Sequence, residues 1–319
     1  MCYQIHSRCK KLVNNSPVQI NTPNKYYLKE DGSIKKVGCK SPSIFFPTQY
    51  TSQLASLIEA LKVEGYWKDG FGSICNSNKL LIDRIQLLLE NLGIHVTRSL
   101  ILKVKVDSNV RENEVKVLRN GVPVRFYMQK SPFNKMKLVV FRAHEVAEKY
   151  FLIIGKSSYN LSIKIHRTYI ETSCELPAFI YIDLRFRSLT FTSLLKDAIK
   201  ENGGKKSRTI RLNMLLKRSP PSVIVAVFGM VVDCEGSVNH YKLFRRIKTR
   251  MVNREYLEDW LKLLNHLGIY ASIFKDGALY ALRIEGAEDF RKLVNYGFSL
   301  HHSIKRTKFQ KLLCSYKRF

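Results

Sequence analysis

The stretch Phe228-Gly229-Met230-Val231-Val232-Asp233-Cys234-Glu235-Gly236-Ser237 decides how this chain is read. An apolar run from Val223 to Val232 is closed by acids and a glycine. Pro221 just ahead marks a helix start, because its fixed φ suits the first helical turn. The glycine lets the backbone leave the helix sharply and come close to a ligand. Beyond it, Ser237 to Met251 reads as strand and carries Arg245, Arg246, Lys248 and Arg250.

Working outward, the same order of signals occurs earlier in the chain. Glu64-Gly65 follows the apolar stretch Leu54 to Leu61 and precedes strand-like Tyr66 to Asn76. Residues 86 to 94 and 261 to 269 both read as amphipathic helix ends, closed by Gly93 and Gly268 and followed by isoleucine. A third helix is predicted in each half. One lies between Val140 and Gly155 (Ala143, Val146, Ala147, Tyr150, Phe151), the other between Ile284 and Gly297 (Ala287, Phe290, Leu293, Val294). Lys164 and Lys305 follow these two glycines. Markers repeated in one order imply a duplicated unit.

The halves are unequal. A surplus from Asp107 to Lys137, with Gly121 between strand-like segments, predicts an extended β-hairpin in the first. The expected organisation is an extension over 1–45, a first repeat over 46–170, a connector over 171–221 and a second repeat over 222–319. The connector holds a strand (Phe179 to Phe186), a helix (Phe191 to Asn202) and the basic Lys205-Lys206-Ser207-Arg208.

Charge indicates the partner. Of 319 residues, 54 are Lys or Arg and 26 are Asp or Glu, a net charge of +28. Binding a polyanion then gains from counterion release. There is no transmembrane run of about 20 apolar residues, and Met1 to Lys11 is polar and basic. The expectation is therefore no membrane partner and an intracellular location, cytoplasmic, nucleoid-associated or organellar. Seven cysteines without C-x-x-C spacing argue against a disulfide framework or zinc ribbon. Cys234 reads as a small core residue. The histidines form no H-x-x-x-H pair, and P-loop, Rossmann and Gly-x-Ser-x-Gly signatures are missing from the sequence.

If the two Glu-Gly helices pack side by side, their carboxylates emerge together and repel unless a cation lies between them. Mg²⁺, or another divalent ion such as Mn²⁺ or Ca²⁺, suits such an oxygen-rich setting. There it can activate water and stabilise a leaving oxygen.

The segment Phe228 to Ser237 resembles the signature of the LAGLIDADG homing endonucleases in their single-chain, two-repeat form. The resemblance covers roughly residues 50 to 167 and 222 to 319. It implies an α+β fold of two pseudo-symmetric αββαββα repeats, with motif helices at the repeat interface and β-saddles on the DNA major groove. It also implies a monomer with an internal pseudo-dimer. Glu64 and Glu235, with Gly65 and Gly236, would form the metal site, and Lys305 and Lys164 would steady the scissile phosphate. Two registers fit the first motif. Leu54-Ala-Ser-Leu-Ile-Glu-Ala60 matches the opening letters but puts Leu61 at the ligand position. The alternative puts Glu64-Gly65 there, with Lys62 where the family has an acid.

Groove-facing candidates are Lys68, Ser73, Asn76, Lys103 and Lys105 in the first half. In the second they are Asn239, Lys242, Arg245, Lys248, Arg250, Tyr280 and Arg283. A β-ribbon fits the major groove with alternate residues facing the bases. The leading expectation is a site-specific endonuclease acting on double-stranded DNA. The alternative is a non-cleaving binding protein on the same scaffold, a regulator on DNA or a maturase on structured RNA.

Overall fold

The computed structural model describes residues 51–130, 136–197, 210–241 and 244–316, together with four short strands nearer the N-terminus. Those strands pair as β1 (Val18–Ile20) with β4 (Ile44–Phe46), and β2 (Lys25–Leu28) with β3 (Ile34–Val37). They fall almost wholly within the segment read as an N-terminal extension. Lys242 and the basic run 205–208 lie outside the described residues.

From residue 52 the chain runs α1 (Ser52–Val63), β5 (Gly65–Lys68), β6 (Phe71–Asn76), α2 (Lys79–Glu90) and β7 (Val96–Asp107). A long all-β stretch follows: β8 (Val115–Arg119), β9 (Val122–Pro123), β10 (Phe126–Lys130), β11 (Met136–Ala143), β12 (Glu148–Ile154), β13 (Ser157–Ile165) and β14 (Ile170–Cys174). Then come β15 (Ala178–Arg187), α3 (Leu189–Asp197) and α4 (Met214–Lys217). The last part is α5 (Pro221–Glu235), β16 (Gly236–Tyr241), β17 (Phe244–Met251), α6 (Arg254–His266), β18 (Ser272–Asp276), β19 (Leu279–Ile284), α7 (Ala287–Asn295) and α8 (Ser303–Cys314).

The order α5-β16-β17-α6-β18-β19-α7 is the expected αββαββα. The order α1-β5-β6-α2-β7, then β15-α3, repeats it with β8 to β14 inserted. The chain divides into two compact units. One comprises Met1–Ile74, Asp83–Val96 and Arg185–Phe319; the other comprises Cys75–Ile82 and Thr97–Leu184.

In the first unit α1 packs along α5. Every residue of α1 from Leu54 to Lys62 is buried, and so is most of α5 from Ile224 to Cys234. Both helices are therefore apolar around most of their circumference, as an interior helix must be. Phe228 of α5 meets Trp260 of α6 at 5.2 Å between ring centroids. The antiparallel sheet β16–β17–β19–β18 lays Val238, Ile247, Leu282 and Ile284 into this core. In the other half β5 pairs with β6, and Phe186 near the end of β15 fits against Gly72 so closely that any Cβ there would overlap the ring. Helices α2 and α6 end alike. Gly93 (φ 74°) and Gly268 (φ 71°) take the left-handed cap, while Ile94 N–H and Ile269 N–H donate back to Leu89 O and Leu264 O.

The second unit is two antiparallel layers, β10–β11–β7–β15 and β14–β13–β12–β8–β9. Phe141 and Tyr150 meet at 5.3 Å in its core, beside Leu102, Val104, Leu152 and Leu161.

Two expectations are corrected here. The helix predicted from Val140 to Gly155 does not form, because those residues make the end of β11 and all of β12. Tyr150 and Leu152 are buried and Lys149 and Phe151 exposed, an alternation of period two that outweighs the helical spacing. Gly155 (φ 57°) turns the β12–β13 hairpin instead of capping a helix. The hairpin read into Asp107 to Lys137 is part of a larger insertion, with Asn120 (φ 50°) and Gly121 (φ 78°) forming the β8–β9 turn. The strand and helix assigned to the connector exist as β15 and α3. No helix among the described residues is long and apolar enough to cross a membrane.

Candidate functional site

The packed pair α1 and α5 sets the centre of the site. Each helix ends one turn after a residue whose backbone leaves no room for a side chain at the following glycine. A Cβ on Gly65 would lie 2.9 Å from Leu61 Cα, and one on Gly236 would lie 2.7 Å from Val232 Cα. Neither glycine has positive φ, and Gly236 is extended at φ −95°. Close approach to the preceding turn, not a left-handed backbone, is what excludes other residues. These matching contacts align Glu64 with Glu235 and Lys62 with Asp233. The register with Leu61 at the carboxylate position is thereby corrected, since Leu61 is wholly buried inside α1.

Glu64 and Glu235 share a side-chain hydrogen bond. Two carboxylates that close need a proton or a cation between them. Burial pushes the Glu235 carboxyl up, while the Lys305 charge and the bond to Glu64 act to lower it. Lys305, from α8, donates to Val232 O at 3.0 Å and Asp233 O at 2.7 Å. Its ammonium thus sits at the carbonyl end of α5, where the helix dipole favours a cation. Burial lowers the Lys305 pKa; the acids Asp233, Glu64 and Glu235 and the Cys234 thiol oppose this.

The donors gathered here are oxygens, the set a hard divalent cation prefers. Among the described residues no group of three or more His, Cys, Asp and Glu side chains could cage a metal. A cation at Glu64 and Glu235 would therefore complete its shell with backbone, water and phosphate oxygens.

The supports of the two helix ends have opposite polarity. Asp233 is fully buried and accepts from His301 N–H (2.6 Å) and His302 N–H (3.1 Å), next to the first turn of α8. Burial raises its carboxyl to about 6, against those two bonds and the charges of Lys305 and Arg306. Lys62 instead donates to Arg211 O at 2.6 Å and to Glu59 at 2.9 Å. Glu59 in turn accepts from the Tyr256 hydroxyl of α6 at 2.7 Å. Burial holds the His302 imidazole down near 4, with help from Lys305 and Lys308, so it is neutral at pH 7. Cys234 is buried, and burial pushes its thiol well up, as befits a core residue.

Lys164 lies exposed on β13 in the second unit, opposite Glu171 of β14. Its assignment rested on the helix that proved to be strand.

Sheet register sorts the groove candidates. On β16–β17–β19–β18, Asn239 pairs with Arg246 and Lys248 with Arg283. Asn239, Arg246, Lys248, Arg250 and Arg283 therefore share the face away from the core. Arg246 was missed by the sequence reading, although its alternation with Lys248 and Arg250 is the signal that finds it. Arg245 and Tyr280 have the parity of buried Ile247 and Leu282. Arg245 stacks on Tyr316 at 4.7 Å, and Tyr280 lies under Arg254. Asp276 accepts from both buried Lys248 (3.1 Å) and exposed Arg250 (2.6 Å), so Lys248 is taken up by this ion pair and Arg250 stays at the surface.

In the first half Lys68 and Ser73 share the open face of β5–β6 with Tyr66, while Trp67 and Ile74 face inward. Asn76, the last residue of β6, has its side chain engaged locally, accepting from Asn78 N–H at 2.8 Å. In the second unit Lys103 and Lys105 of β7 lie over the rings of Tyr181 and Phe179 on β15, at 4.9 and 5.1 Å.

Residues 222–296 match the family model of the LAGLIDADG-like domain. No curated protein matches the chain. Among solved structures, full-length DUF199/WhiA from Thermatoga maritima is 10% identical, covering 84% of this chain and 61% of its own, at a TM-score of 0.41. The N-terminal LAGLIDADG domain of DUF199/WhiA is 12% identical over 78% and 82% of the two chains, at 0.38. I-DmoI in complex with DNA and Mn is 14% identical over 77% and 93%, at 0.34.

Proposed function

We propose that this chain, whose residues 222–296 match the LAGLIDADG-like domain, belongs to that family and is a site-specific endonuclease of double-stranded DNA. The observation that carries the reading is the Glu64–Glu235 pair at the adjoining ends of α1 and α5. Glu64 and Glu235 would hold a divalent cation, which supplies an activated water and charge stabilisation at the leaving oxygen. Lys305 offsets the negative charge of the pair and of the α5 carbonyls. Gly65 and Gly236 keep the backbone beside the carboxylates free of side chains. Asn239, Arg246, Arg250 and Arg283 present hydrogen-bond donors on one sheet face, the arrangement that phosphate and base-edge contacts require.

A second reading, binding without cleavage, draws on the asymmetry of the pair. Lys62 stands where Asp233 stands in the other half, and Lys164 lies on a different element from the helix pair. The test is direct. Incubated with Mg²⁺ and a library of duplexes, the protein should cut a subset on both strands. Glu235→Gln should abolish cutting and keep duplex affinity. Survival of every duplex, with binding intact, would move the assignment to the non-cleaving reading.

A further inference from the structure

The insertion carries an exposed aromatic and basic surface beside Lys103 and Lys105 of β7. On the outer face of β10–β11–β7–β15, register aligns Tyr127 with Val140 and Val140 with Lys103; Lys103 in turn lies over Tyr181. Two residues along, Gln129 aligns with Leu138 and Leu138 with Lys105, which lies over Phe179. Each row thus ends in a lysine over an aromatic ring, and the first also begins with the aromatic Tyr127. At one end of the rows a cleft of about 310 Å³ opens, floored by Ile101 and Val140 and walled by Arg125, Tyr127 and Arg142.

Tyr127 is 56% exposed on a sheet whose other face is core. Arg125 is also exposed. Arg142 is braced in place by Asp183 at 2.7 Å and Ser99 at 2.9 Å. A second cleft of about 430 Å³ adjoins the first, sharing Val124 and Arg142 and adding Arg119 and His144. The first compartment is thus apolar-floored with Tyr127 and two arginines on its walls, and the next adds Arg119, which pairs with Glu148.

We propose that this face of the insertion binds a single-stranded nucleic acid, seating one unstacked base against Tyr127 and its phosphate at Arg142 and Arg119. A base inside a duplex offers only its edge, whereas an exposed ring flanked by guanidinium groups needs a base with a free face. The cleft volume lies at the low end of small-ligand sites, roughly 300–1,000 Å³, which suits a single planar group. The excess of Arg and Lys over acids in the chain favours a polyanionic strand over a neutral ligand. The inference concerns the insertion alone and does not depend on whether Glu64 and Glu235 support cutting.

The test uses the full chain and four labelled probes: a short mixed-sequence DNA strand, the same sequence as RNA, an abasic DNA strand and a DNA duplex. Tyr127→Ala should weaken binding of the DNA strand, the RNA strand or both by about 10-fold, the scale of one base–aromatic stack. Tyr127→Phe should restore it, and the abasic strand and the duplex should be indifferent to either change. Which intact strand responds identifies the sugar recognised. Unchanged affinity of both intact strands on Tyr127→Ala overturns the proposal. So does an equal loss for the abasic strand, because that loss would not come from stacking.

Discussion

The ends of α1 and α5 make the most informative comparison in the molecule. Their backbones are nearly interchangeable: each helix finishes beside a glycine pressed on the turn before it, and each contributes one glutamate to a shared hydrogen bond. The residue three before the glycine nevertheless carries opposite charge in the two halves. Asp233 meets two backbone N–H groups at 301 and 302, whereas Lys62 meets the backbone carbonyl of Arg211. A buried position takes the charge that its backbone partner dictates, because an unpaired charge there would cost several kcal/mol. The acid at this place thus serves as a helix-end anchor, and a lysine serves when the anchoring segment presents oxygen.

The largest expected effect is on that anchor. Lys62→Ala should destabilise the protein by about 3–5 kcal/mol in denaturant titration, because it strands buried Glu59 and the Arg211 carbonyl. Asp233→Asn keeps an acceptor and should cost about 1–2 kcal/mol. Equal losses would break the comparison. Next comes the pair itself. Glu64→Gln should reduce cutting at least about 100-fold, the upper end of what losing a ligand's support costs. If only Glu235→Gln does so, the two halves are not functionally equivalent.

A smaller effect is expected in acid. Burial alone would raise the Asp259 carboxyl, but hydrogen bonds from Arg211, Lys217 and Leu212 N–H hold it down near 2. A depressed carboxylate adds stability above its unfolded pKa and loses it as pH falls through the folded value. Between about pH 4 and 2, the wild type should therefore lose stability more steeply than Asp259→Asn in urea titrations at each pH. The result sharpens the comparison, since Asp259 grips the residue whose carbonyl receives Lys62. The smallest effect separates neighbours on β17. Arg246→Ala should lower the salt dependence of duplex binding by about one unit of slope, and Arg245→Ala should leave it nearly unchanged. A reversal would mean that the core-facing parity assigned to Arg245 is wrong.

Much of this was legible in the chain. Gly93 and Gly268 announce left-handed caps whose closing backbone hydrogen bonds run to residues at most five positions away. The second repeat, from Pro221 to Gly297, has one element per sequence signal. The first repeat was harder because its last strand and helix, β15 and α3, are separated from β7 by the insertion. Spacing alone then assigned its closing helix to residues 140–155, where apolar residues fit a helical period and a strand period about equally well. Lys164 inherited that error. Arg246 was overlooked because parity needs the pairing register, which depends on where Asn239 and Arg283 lie across the sheet.

By itself, the sequence determined the features that depend on near neighbours along the chain: the two Glu-Gly helix ends, their glycines, the caps and the basic strands. Tertiary structure alone decided which carboxylates meet and which lysine joins them. It also decided that an apolar stretch near residue 150 would be strand. Those outcomes depend on partners far away in sequence, such as Glu64 with Glu235, Lys62 with the Arg211 carbonyl and Tyr150 with Phe141. No local preference encodes the burial that makes each of those pairings favourable.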